Sequence, residues 1–195
     1  MSEQDFWVLG ISRGHNAGAC LIKNGKIIFA IEEERLARKK YDGSPFAAMV
    51  KVLEYTDRID YMFISHTQDL EGGPRVDFTG DDVYTGLARK LGLIDPQGEL
   101  PKHPQVIDLS HIHHKLHAAC AFYRSGFESA VSVIVDGAGT FIPMNINMGV
   151  FNEEYMSWEC ESIFNCAYPD NFKTLYKHQG GNGPFPGTRI PYIPS

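Results

Sequence analysis

The chain has 195 residues, 43% of them hydrophobic and 22% charged, with a formal net charge of −6. That length supports one ordinary domain or two small lobes with real cores, and the composition excludes disorder as a description of the whole. The acidic balance argues against non-specific nucleic-acid or anionic-membrane binding, and no apolar run approaches the roughly 20 residues needed to span a bilayer. The N-terminus, Met1-Ser2-Glu3-Gln4-Asp5, is acidic where a secretory signal would be basic, so no export is expected. Cysteines stand at 20, 120, 160 and 166 without a Cys-x-x-Cys pair. Cys20 and Cys120 sit in apolar stretches and read as small buried hydrophobes, and a cytoplasmic location is the simplest expectation.

In chain order, residues 7–11 form a short apolar run closed by Ser12-Arg13-Gly14, a strand entering a tight loop. Residues 19–23 and 26–32 are two further strands joined by Asn24-Gly25, a pair that tolerates positive φ and signals a hairpin. A charged stretch, 32–40, follows. Ser44-Pro45 supplies an N-cap and a first-turn proline for a helix carrying Ala48, Met49, Val52, Leu53 and Tyr55. Residues 61–65 are a strand ending at His66, and 82–91 a helix between loops at 69–80 and 95–104. Residues 106–109 make another strand, and Ser110 is placed to cap a helix over 111–124. Residues 129–135 read as a buried strand ending at Asp136-Gly137-Ala138-Gly139-Thr140. Two more strands are expected near 146–152 and 156–164, and no core element in the last thirty residues. This order gives an α/β chain in two lobes. The first has five strands and about three helices; the second opens with a strand meander and lacks helices to cover it.

The densest chemical signal is Ser110-His111-Ile112-His113-His114-Lys115-Leu116-His117-Ala118, with half of the chain's eight histidines. Residues at i and i+4 share a helix face, so His113 and His117 can present imidazoles to one ion while His114 points elsewhere. Zinc, iron(II) and manganese all accept such ligands, and Asp136, at the carboxyl end of a strand, is the best third donor. The spacing lacks the glutamate of a zincin His-Glu-x-x-His. Two glycine turns, Gly10-Ile11-Ser12-Arg13-Gly14-His15-Asn16-Ala17-Gly18 and the 136–140 loop, each read as joining hairpin strands at the head of a lobe. Their backbone amides can approach a phosphate, and the actin-like ATPase and sugar-kinase architecture clamps a nucleotide between two such loops. His15 is a candidate acid/base. The run from Glu32 to Lys40, including Arg35, Arg38 and Lys39, reads as a solvated face or as a basic cluster near phosphates.

Taken together these segments resemble the NodU/CmcH-type O-carbamoyltransferases, which carbamoylate nodulation factors and antibiotics. That family opens with a strand, a loop containing His-Asp-Ala, a hairpin, and a Glu-Glu-Arg-rich stretch ending in Arg-x-Lys-His. Here the counterparts are His15-Asn16-Ala17, Glu33-Glu34-Arg35 and Arg38-Lys39-Lys40-Tyr41. The family's His-His-Leu-Ala-His-Ala appears as His113-His114-Lys115-Leu116-His117-Ala118. Its Ala-Phe-Tyr-x-Ser and Val-Asp-Gly-x-Gly appear at 121–125 and 135–139. Asn16 and Tyr41 depart from the family's Asp and His, and both departures bear on acceptor activation.

The resemblance implies an actin-like (ASKHA, ribonuclease H-like) fold related to the Kae1/TsaD tRNA-modifying proteins. The first lobe, with a mixed five-stranded sheet, would cover 1–128, and an incomplete second lobe with an irregular tail 129–195. It implies a metal, iron foremost with zinc or manganese as alternatives, on His113, His117 and Asp136. It further implies nucleotide contacts at Ser12, Gly14, Gly137, Gly139 and Thr140, and catalytic roles for His15 and Lys40. The expected chemistry is ATP-dependent: a carbamoyl group passes from carbamoyl-adenylate, made from carbamoyl phosphate, to a hydroxyl of a small-molecule acceptor. Family members are several times longer and carry a fourth, aspartate ligand and a YrdC-like domain. The expectation is therefore an N-terminal portion, either an expressed fragment or one product of a split gene, that needs a C-terminal YrdC-like chain or domain. The alternatives are a non-catalytic metal- or nucleotide-binding module, or a TsaD-like tRNA-modification component, which the negative charge disfavours.

Overall fold

A computed structural model describes residues 5–14, 16–67, 82–95, 103–147, 152–181 and 190–192. The chain divides into two compact units, Met1–Ser110 and His111–Ser195. The expected loop at 69–80, most of that at 95–104, and His15 lie outside the described residues.

The first unit opens with the expected meander of β1 (Trp7–Ser12), β2 (Gly18–Lys23) and β3 (Lys26–Glu32). Asn24 and Gly25 take φ of +49° and +79°, the successive positive values of a tight hairpin turn that follows the strand twist. Next come α1 (Glu33–Ala37), α2 (Phe46–Lys51), β4 (Tyr61–Ser65), α3 (Val83–Lys90) and β5 (Val106–Asp108). The sheet runs β3-β2-β1-β4-β5. The first three strands are antiparallel, while β4 pairs parallel with both β1 and β5, which makes the five-stranded sheet mixed. Period-two alternation sends Leu9, Leu21, Met62 and Ile64 to one face, where they meet Met49, Val52 and Ala88, all fully buried. Each of the larger side chains contributes about 1.5–3 kcal/mol over an exposed position.

Helix ends correct two expectations. Asp82 caps α3 as its position suggests, accepting from the amides of Tyr84 (2.9 Å) and Thr85 (3.0 Å) and from the Thr85 hydroxyl. Ser44, however, does not cap α2. The buried Glu33 carboxylate reaches across and takes the amides of Ala47 (2.9 Å) and Ala48 (2.8 Å). A charge outbids a hydroxyl for these orphan donors, since a carboxylate makes the stronger hydrogen bond. Ser110 likewise does not cap the helix that follows it. Its amide and hydroxyl both go to Asp108, in a 3-10 turn over Ser110–Ile112.

In the second unit α4 (His113–Ser125) ends at Gly126, whose φ of +77° is the left-handed conformation glycine allows at a helix terminus. The strands are β6 (Ser129–Val135), β7 (Phe141–Asn147), β8 (Asn152–Ala167), β9 (Asn171–Gly181) and β10 (Ile190–Tyr192). The expected strand at 146–152 is displaced to β7, and the one at 156–164 is the middle of the sixteen-residue β8. The last thirty residues do hold sheet strands: β9 pairs along β8, and β10 along β9. The sheet is antiparallel, in the order β10-β9-β8-β6, with β7 also on β8.

The 136–140 loop is not a hairpin turn. β6 pairs Val135 with Glu161 and β7 pairs Phe141 with Trp158, so both lie end to end along one edge of β8. The loop is an outsized bulge in that edge. Helix α4 presents the stripe His114, Ala118, Phe122 to the sheet, over Phe164 and Cys166. Cys120 falls off this stripe and is exposed, not buried as its apolar neighbours suggested. Among the described residues β6 is covered only on the α4 side, not buried on both faces as expected: Val131, Val133 and Val135 are 60%, 62% and 75% exposed on the other face. No helix among the described residues is long and apolar enough to cross a membrane.

Candidate metal centre

Helix periodicity carries His113 and His117 onto a face one residue away from the buried stripe, at the rim of the second unit. Their Nε2 atoms stand 3.0 Å apart, with the rings edge-on. Asp136 Oδ2 lies 3.2 Å from His113 Nε2 and 3.5 Å from His117 Nε2. A first-row ion bound at about 2.1 Å needs donors about 3.0 Å apart at right angles or about 3.4 Å apart at tetrahedral angles. The three measured separations match that range, and two nitrogens with one carboxylate oxygen suit zinc, iron or manganese. Among the described residues three donors converge here, one fewer than the four of a closed structural zinc site.

Electrostatics favour the ligating forms. Burial, and then the neighbouring His113, push the His117 imidazole below its usual value despite Asp136, keeping it neutral. Burial alone raises the Asp136 carboxyl, but the Gly137 amide, at 2.6 Å, and the two imidazoles outweigh it and hold the group below the usual carboxylate range.

Beneath the donors lies a support that sequence reasoning missed. Glu159, 1% exposed, is ion-paired with Lys177 from β9. Its Oε2 accepts from the Thr140 amide at 3.2 Å and, at the limit of a hydrogen bond, from the His114 amide at 3.5 Å. The Thr140 hydroxyl accepts from the His113 amide at 3.2 Å. Glu159 and Thr140 thus satisfy amides in the first turn of α4, locking the helix that carries both histidines to the loop that carries Asp136. Burial raises the Glu159 carboxyl, yet Lys177, the Thr140 amide and His114 bring it below its ordinary value. His114 is fully buried, with Nδ1 at 2.8 Å from Ser162 Oγ. The pairing of β8 with β9 skips Cys160, so Glu159 and Ser162 turn to the same face although three residues apart. A carboxylate in an otherwise core-facing stretch was the only sequence sign of this network.

The other anticipated residues are placed as follows. In the first unit the Ser12 hydroxyl donates to the Asn16 carbonyl at 3.4 Å, and the Gly14 amide to the Gly43 carbonyl at 3.1 Å. Lys40 is exposed, 3.9 Å from Glu34. In the second unit the Gly137 amide donates to Asp136, and the Gly139 amide to the Glu159 carbonyl at 2.7 Å. A Cβ on Gly139 would stand 2.5 Å from His114 Nε2, so close packing alone demands glycine there, whereas Gly137 borders open space. The structure brings together His113, His117, Asp136 and Thr140. An apolar groove of about 530 Å³ in the first unit is lined by Phe46, Val50, Val83 and Leu87 and contains none of the candidate residues.

Residues 7–72 match the family described as Carbamoyltransferase N-terminus. An uncharacterized Synechocystis protein, sll1178, is 27% identical over 194 residues, 87% of this chain and 30% of its own length. The uncharacterized protein MJ1051 of Methanocaldococcus jannaschii is 30% identical over 135 residues, 68% of this chain and 22% of its own. The nodulation protein NolNO of Sinorhizobium fredii is 31% identical over 137 residues, 65% of this chain and 20% of its own. The chain thus spans less than a third of the length of each of these relatives. Residues 7–72 thus carry a carbamoyltransferase N-terminal domain, and the homology to these proteins, though distant, extends beyond that segment.

Proposed function

We propose that this chain is the N-terminal portion of an ATP- and metal-dependent carbamoyltransferase of actin-like fold, transferring a carbamoyl group from carbamoyl-adenylate to a hydroxyl acceptor. The family match supports the reaction class. The observation that carries the metal is the convergence of His113, His117 and Asp136 to donor separations of 3.0–3.5 Å. A bound divalent ion would supply Lewis acidity, steadying phosphate charge near these three ligands.

In the transfer, the acceptor oxygen bonds to the carbamoyl carbon, the bond from that carbon to the adenylate phosphate oxygen breaks, and AMP departs. We assign His15 as the group that takes the hydroxyl proton, and the Lys40 ammonium as a counter-charge to phosphate. Ser12, Gly14, Gly137 and Thr140 are assigned to nucleotide contacts, where small side chains leave room for a phosphate; Gly139, whose amide bonds the Glu159 carbonyl and whose Cα faces His114, serves the packing of the same loop. The remainder of the reaction machinery is assigned to a YrdC-like polypeptide that supplies the adenylate.

Metal content of anaerobically purified protein, read by mass spectrometry for wild type and for His117→Ala, tests this reading. About one equivalent of iron, zinc or manganese in wild type, lost in the variant, is the expected result. A wild-type protein that takes up no metal after reconstitution would refute the metal assignment.

A further inference from the structure

The first turn of α4 carries His113 but has no cap of its own. Ile112, at the position before it, gives the helix no side-chain acceptor. An apolar residue there leaves the leading amides without partners, so acceptors must come from elsewhere in the unit. Two residues supply them. The Thr140 hydroxyl takes the His113 amide at 3.2 Å, and Glu159 Oε2 lies 3.5 Å from the His114 amide. A carboxylate at this end of the helix also answers the positive end of its dipole.

The same stretch of β8 holds the loop that carries the third ligand. The Asp136 amide donates to the Cys160 carbonyl at 3.0 Å, and the Gly139 amide to the Glu159 carbonyl at 2.7 Å. Thr140 is bonded twice to Glu159: its amide donates to Oε2 at 3.2 Å, and its carbonyl accepts the Glu159 amide at 3.2 Å. Of these contacts, those of the carboxylate depend on side-chain torsions, and Lys177 restrains them. Its ammonium pairs with Oε1, which leaves Oε2 turned to the Thr140 and His114 amides. Lys177 stands on β9 opposite Ser162, whose hydroxyl lies 2.8 Å from Nδ1 of the buried His114.

We infer that Lys177 is a positioning residue for the metal centre. By pinning one oxygen of Glu159 it fixes the other between α4 and the 136–140 loop, and so sets how His113 and His117 stand to Asp136 and how tightly the three hold a divalent ion. Neither Lys177 nor Glu159 is one of the three donors. Groups that orient ligands from behind typically cost about 10–100-fold in metal affinity when removed. The inference rests on the proposed metal role of His113, His117 and Asp136.

The test uses the whole 195-residue chain and cobalt(II) as probe, because the visible bands of bound cobalt report its coordination geometry. Affinity is read by competition with a chelator. Lys177→Met is expected to bind cobalt about 10–100-fold more weakly with altered bands, and Lys177→Arg, which keeps the charge, to retain the wild-type bands. Glu159→Gln weakens binding as well, and the double variant is no weaker than the weaker single, as two links of one chain require. In the metal-free protein the His114 and Thr140 amides exchange faster in Lys177→Met than in wild type. Phe172→Ala, a packing loss against Phe122 on the same strand as Lys177, lowers stability but keeps wild-type affinity and bands. Wild-type affinity and bands in Lys177→Met overturn the inference, as does equal weakening by Phe172→Ala. If Lys177→Met does not fold, Glu159→Gln decides in its place, and wild-type affinity there overturns the inference. Cobalt uptake that these variants do not alter leaves the metal assignment standing, whereas no uptake by wild type refutes that assignment and the inference with it.

Discussion

Replacing Glu159 with glutamine isolates the charge that holds the metal-site elements together. In the wild type this carboxylate is 1% exposed and answers Lys177 as well as amides from the 136–140 loop and from α4. Removing one partner of a buried ion pair costs about 3–5 kcal/mol. Two features reduce that figure. The Lys177 side chain keeps 22% exposure and can hydrate, and glutamine retains an acceptor for the Thr140 amide. A loss of about 2 kcal/mol is therefore expected. For a unit of this size that lowers the melting temperature by about 8–16 °C.

The acid dependence gives a sharper signature. The folded-state pKa of Glu159 is depressed, so its stabilisation is complete above the ordinary value of 4.5 and is lost as pH falls through the lower folded value. Wild type therefore loses stability below pH 4.5 in a step that Glu159→Gln lacks. Urea unfolding followed by circular dichroism across pH 3–7 reads both effects. A variant within about 0.5 kcal/mol of wild type at neutral pH, or with an unaltered acid slope, would refute the account of Glu159 as the organising charge.

Two further substitutions separate packing from ligand contact in the bulged loop. Gly139→Ala forces a methyl to within 2.5 Å of His114 Nε2 and 2.8 Å of Glu159 Cβ and should destabilise the second unit by about 2–3 kcal/mol. Gly137→Ala meets nothing within 4 Å and should leave the melting temperature unchanged; equal melting temperatures for the two would sink the packing argument. In the first unit, Asp82→Ala removes the acceptor for Tyr84 and Thr85 at the start of α3 and should cost about 1–2 kcal/mol in thermal unfolding. Metal content of the variant should match wild type, since His113, His117 and Asp136 all belong to the second unit.

Legibility in the sequence followed the range of the forces involved. The meander β1–β3 was readable because alternation and the Asn24-Gly25 turn are local, and both appear as expected. The His113 and His117 pair was readable because four residues is one helical step, and Asp136 because a strand ended there. Glu159 and Lys177 were not, since they meet only through the register of β8 on β9, a property of two strands together. β9 itself was missed because its polar sequence, Asn-Phe-Lys-Thr-Leu-Tyr-Lys-His-Gln, carries little apolar alternation and is held by pairing along β8. The glycine loop was misread because a hairpin turn and a break in a shared edge leave the same mark, a glycine-rich pause between two strands. Only the length of β8 distinguishes them.

That shared edge also separates two kinds of change. With Val135 anchored opposite Glu161 and Phe141 opposite Trp158, the ends of the 136–140 segment are pinned, and five residues occupy a gap that β8 crosses in two. The surplus is concentrated at Gly137 and Ala138, since Asp136 bonds the Cys160 carbonyl and both Gly139 and Thr140 bond Glu159. Residues added to or taken from it shift Asp136 relative to the two imidazoles without disturbing any pairing on either side. A lineage could thus vary its ligand geometry, and with it the preferred ion, by altering the length of this one segment while the sheet stayed as it was.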